Sequence, residues 1–78
     1  MKLHYLEIFP DLYDDVASEL KTWEMREIRD RDFQVGDTLI LSDGTRQMQV
    51  LVDYVMRDRF GLKKGWCIMS IKQIKETT

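Results

Sequence analysis

Apolar and polar residues alternate from Lys2 to Phe9, with His4, Leu6 and Ile8 on one side and Leu3, Tyr5, Glu7 and Phe9 on the other. That two-residue period predicts a strand. Pro10 ends it, because proline cannot donate to a sheet ladder. The period then lengthens. Leu12, Val16 and Leu20 recur every four residues, and Tyr13 and Ala17 widen the stripe into the core-facing side of a helix. This helix is expected to open at Asp11, with Asp14 and Asp15 suiting its positive end, and to finish about Leu20 or Lys21. From Thr22 the period returns to two, so Trp23 and Met25 share one strand face while Thr22, Glu24 and Arg26 share the other.

Downstream, the charge cluster Arg29 to Asp32 reads as a solvated loop, and Gly36 as a turn residue with positive φ ahead of a strand from Thr38 to Leu41. Asp43-Gly44 is a hairpin signal. A strand from about Arg46 to Met56 follows, with Met48, Val50, Val52 and Tyr54 assigned to one side. Arg57 to Gly65 reads as a basic, glycine-bearing loop, and Trp66 to Ile71 as a closing strand. One helix after the first of about five strands excludes a doubly wound parallel sheet, which needs repeated crossovers. An α+β fold remains, a small mixed or antiparallel barrel with one main N-terminal helix.

Composition narrows this further. Seventy-eight residues, 44% of them apolar, fit one domain spanning 1–78 with a modest core. The formal charge of −2 gives no global field for nucleic acid, so any RNA contact must be local. Cys67 is the single cysteine and cannot form an internal disulfide, which fits a reducing compartment. The alternation after Met1 leaves no signal-peptide core, and no apolar run approaches membrane-spanning length, so a cytoplasmic location without membrane contact is expected.

Two groups of residues have candidate chemistry. Lys21, Glu24 and Arg26 bring a cation, a carboxylate and a guanidinium to the helix-to-strand junction, where they could clamp a phosphate or a base edge. The alternative is a helix-terminal lysine beside a surface ion pair. Arg57, Arg59, Lys63 and Lys64, interleaved with Phe60 and followed by Trp66, suit single-stranded nucleic acid, or else the aromatics anchor the loop to the core. His4 has no second histidine and reads as a structural residue, and Cys67 as a small core residue. The serines and glycines form no nucleophile motif or phosphate loop, and no metal or cofactor is assigned.

The stretch Ser18-Glu19-Leu20-Lys21-Thr22-Trp23-Glu24-Met25-Arg26, followed by Asp32-Phe33-Gln34-Val35-Gly36-Asp37-Thr38-Leu39, resembles the ASCH domains of the PUA-like superfamily. It is most similar to a small uncharacterised bacterial and phage family of that group. His4, Leu6 and Ile8 match that family's first strand, Pro10 and Tyr13 its helix, and Phe60-Gly61 with Trp66 to Ile71 its last loop and strand. Lys21, Glu24 and Arg26 match three elements of its motif, whereas Glu19 stands where relatives have glycine and Glu7 where they often have lysine. The resemblance implies a PUA-like β-barrel with an RNA- or nucleotide-binding cleft between helix and barrel, rimmed by the Arg57 to Lys64 loop. One branch of the superfamily holds amidohydrolases acting on a modified nucleoside. Lys21 matches the lysine of that branch, but Glu24 replaces its threonine and Trp66 to Ile71 contains no glutamate. Three functions therefore stand side by side: a non-enzymatic RNA or nucleotide binder, an enzyme using Lys21 and Glu24, and a protein-interaction module.

Overall fold

The computed structural model describes residues 1–74. Its elements are β1 (Leu3–Glu7), α1 (Pro10–Ala17), β2 (Trp23–Glu27), β3 (Thr38–Ser42), β4 (Gln47–Arg57) and β5 (Trp66–Gln73). The strands form one mixed sheet in the order β1-β3-β4-β5-β2, curled into a half-barrel with the short helix beside it, an α+β fold. β1 pairs with β3 in parallel, and all other pairings are antiparallel. The inward side chains of the strands meet Tyr13 and Val16 of α1 and Phe33 of the β2–β3 connection in a single core. Among the described residues, no helix is long and apolar enough to cross a membrane.

Two features tie the parallel pair together. His4 Nε2 is hydrogen-bonded to Asp37 Oδ2 at 2.8 Å, and the backbone N–H groups of Lys2 and Gln34 each donate to the same carboxylate at 3.0 Å. Gly36, at φ +98°, makes the turn that aims Asp37 inward, and its N–H donates to the Val52 carbonyl. Asp43 closes the β3–β4 hairpin, with Oδ1 accepting the N–H groups of Thr45 and Arg46. Arg46 then reaches from the hairpin to Asp14 of α1 at 2.8 Å and covers the ring of Tyr13. This contact pins the helix to the sheet.

Three expectations are corrected. Pro10 does not merely end β1 but is the first residue of α1, where its missing N–H costs nothing and its fixed φ suits the helix. The helix stops at Ala17, a turn earlier than the apolar spacing predicts, so Leu20 lies outside it and is 81% exposed. Its end is set by Glu19, at φ +67°, whose N–H donates to the Val16 carbonyl while the Lys21 N–H returns to Asp15. In β4 the register skips one residue between Val52 and Tyr54, a β-bulge at Asp53. Tyr54 therefore leaves the face of Val52 and is 57% exposed, and Val55 packs against the core in its place.

Candidate functional site

β2 is an edge strand whose faces are reversed relative to its hydrophobicity. Glu24 is 3% exposed, whereas Trp23 and Met25 on the opposite face are 45% and 47% exposed. Burying a carboxylate is costly unless cations and hydrogen bonds compensate it, and here they do. Lys21 Nζ donates to Glu24 Oε1, and Arg26 Nε donates to Oε2 at 2.8 Å. The early end of α1 makes this possible. The left-handed turn at Glu19 brings the chain back so that Lys21 points along β2 toward Glu24. Lys21 Nζ also lies 4.6 Å from the centroid of the Trp23 ring, a cation–π contact at the strand edge.

The triad sits on an open groove of about 1580 Å3 between the two sheet edges, β1 and β2, with α1 along one side. Leu6, Ile8 and Leu12 supply its apolar surface, and Tyr5, Phe9 and Trp66 its aromatic surface. Both carboxylate oxygens of Glu24 are engaged, so its role in this geometry is to hold the two cations. Arg26 engages Glu24 through Nε alone, leaving both terminal nitrogens for a ligand, and Lys21 keeps two of its three donors. With one carboxylate between two cations, the triad has a net charge of +1. It can accept a phosphate or another oxyanion.

The second group of residues lies elsewhere. Arg57, Arg59, Lys63 and Lys64 are not among the residues lining the groove, although Trp66 is. Arg57 shares an inner row with Cys67 and Arg26, but its Nη2 donates to the Phe33 carbonyl and lies 3.4 Å from Asp32. It thus joins the end of β4 to the β2–β3 connection. Arg59 lies over the ring of Phe60, which is exposed and does not anchor its loop to the core. The structure adds two residues that pattern reasoning passed over. Trp23 reads as half of an apolar strand face, and only its edge position turns it toward Lys21. Arg31 belongs to an apparent surface charge cluster, yet its Nη1 crosses to the Tyr5 carbonyl of β1 at 3.0 Å.

Among the described residues, no group of three or more histidine, cysteine or acidic side chains could hold a metal ion. Burial pushes the Cys67 thiol above its ordinary value, against the opposing charge of Arg57. Such a thiol is a poor nucleophile.

The crystal structure of a hypothetical protein, PH0355, has a similar fold, with a TM-score of 0.70 over 95% of this chain and 100% of that one. The two share 16% sequence identity, so the likeness concerns the fold alone. A search among curated proteins finds no match. A family model described as a domain of unknown function matches residues 3–71, from the first residue of β1 to Ile71 in β5 and across the whole Lys21-Glu24-Arg26 triad. On that match, the chain belongs to the DUF3850 family.

Proposed function

We propose that this domain is a PUA-like module of the ASCH type that binds RNA or a nucleotide in the groove between β1 and β2. The observation that carries the reading is the triad itself: two cations braced on one buried glutamate, with spare donors at an open groove bearing aromatic side chains. A purely structural ion pair has no need of a groove, and hydrophobic residues of similar volume serve stability equally well. In this reading Arg26 and Lys21 contact phosphate, Glu24 fixes their positions, and an exposed aromatic ring supports the base. Amide NMR with short single-stranded RNA and a nucleotide panel at low salt tests it. Shifts should cluster at 21–26 and along β1, and Arg26→Met should weaken binding by at least about tenfold. A flat response at low salt overturns the proposal.

A protein-interaction role is the second reading, and one observation favours it. Trp23 and Met25 of β2, Ile68 of β5, and Tyr54 and Met56 of β4 lie on the outer face of neighbouring strands and make an apolar stripe that starts beside the groove and runs away from it across the sheet. Tyr54→Lys, at a position that does not line the groove, should leave ligand shifts at the triad unchanged while abolishing any association through that face.

A further inference from the structure

Building on the binding reading above, we infer that the groove takes a single phosphate, as in a nucleoside monophosphate, and engages no more than one phosphate of a longer RNA chain. The basis is how charge is distributed along the groove. β1 runs with β3, and three antiparallel pairings separate β3 from β2, so β1 and β2 face each other in opposite directions. Glu7, at the end of β1, therefore lies toward the start of β2 and α1. The chain leaving β2 lies toward the start of β1, as the Arg31–Tyr5 contact shows.

Charge divides along that axis. Arg26, Arg29 and Arg31 line one half, while Glu7, Asp15 and Asp43 line the other, with Lys21 at the junction. Several of these charges are already compensated. Asp43 holds Arg46, and Glu27 holds Arg29. Among the described residues, no cation pairs with Glu7 or Asp15. One oxyanion fits the triad. Successive phosphates of a strand rise by only about 3.4 Å, and the Debye length at physiological salt is ~8 Å. A chain anchored at Lys21 and Arg26 would thus run its next phosphates into the field of Glu7 and Asp15 on one side, and on the other would meet Arg29 held by Glu27 and Arg31 donating to the Tyr5 carbonyl. These carboxylates instead suit the amino groups of a base, which are donors only.

Calorimetric titration distinguishes the cases, using a nucleoside, its 5′-monophosphate, a tetranucleotide and an octanucleotide at two salt concentrations. The monophosphate should bind at least about tenfold tighter than the nucleoside. The octanucleotide should bind no tighter than the tetranucleotide, with a log–log salt slope near −0.7 for both, the value for one phosphate on a single strand. The double variant Glu7→Lys with Asp15→Lys should strengthen octanucleotide binding at least about tenfold and steepen its salt slope beyond that of the parent protein. Affinity and slope that rise with chain length overturn the single-phosphate inference while leaving the RNA-binding reading intact. An unresponsive double variant overturns it as well. Heats absent for every probe overturn both.

Discussion

Glutamine at position 24 would keep the shape of the glutamate but remove the negative charge between Lys21 and Arg26. Breaking a buried ion pair from one side leaves uncompensated charge, so Glu24→Gln should cost about 3 kcal/mol in urea denaturation. Glu19 poses a different residue-scale problem. Its φ of +67° is a conformation that a side chain with Cβ adopts at a cost of roughly 1–2 kcal/mol. Glu19→Gly should therefore be more stable than Glu19→Ala by about 1 kcal/mol, a comparison in which both variants lose the carboxylate. Equal stabilities would show that the helix end does not depend on this backbone geometry. Cys67 is fully buried, and burial raises its thiol. Its reaction with a maleimide should proceed at the rate of unfolding, and rapid labelling of the folded protein would contradict this packing.

At the scale of elements, the bulge in β4 decides which side chains reach the core. Regular alternation would place Tyr54 inward and Val55 outward. The extra residue at Asp53 reverses both. Tyr54→Ser should accordingly change stability by less than about 0.5 kcal/mol, whereas Val55→Ser should cost about 2 kcal/mol. The opposite ranking by thermal denaturation would remove the bulge from the fold. The β2 edge follows a similar logic, because its alternation was legible but not which face turns inward. Two bulky apolar residues, Trp23 and Met25, suggest a core face by hydrophobicity alone. The inward side instead belongs to Glu24, whose charge is balanced by one residue before the strand and one within it.

For the whole molecule, Asp37 couples the start of β1 to the start of β3 across 33 residues of chain. Burial pushes its carboxyl up, but the hydrogen bonds from His4, Lys2 and Gln34 outweigh burial and hold it below the ordinary value of 3.8. A depressed carboxyl contributes stability that is present above the unfolded value and is lost as pH falls through the folded one. Stability should therefore be retained down to about pH 4 and then fall steeply. Asp37→Asn should flatten that acid limb while lowering stability at neutral pH. Urea midpoints measured across the acid range would show both effects, and parallel acid limbs would remove Asp37 from the transition.

Local pattern determined much of this protein. Period-two and period-four spacing placed every element, Gly36 and Asp43-Gly44 marked turns that do occur there, and Glu24 and Arg26 were legible as one strand face because alternation is a property of the backbone itself. Tertiary structure decided what a single strand or helix cannot encode. It stopped α1 at Ala17, where a left-handed turn satisfied the terminal carbonyls and outweighed the apolar spacing that would have included Leu20. It placed a bulge where closing the half-barrel requires extra twist. It also turned Glu24 inward, because burial of a charge depends on partners brought together in space. For the same reason, sequence spacing set Arg26 and Arg57 in two separate groups, whereas only the folded sheet shows them in one row beside Cys67 with different partners, one at the groove and one bracing its scaffold.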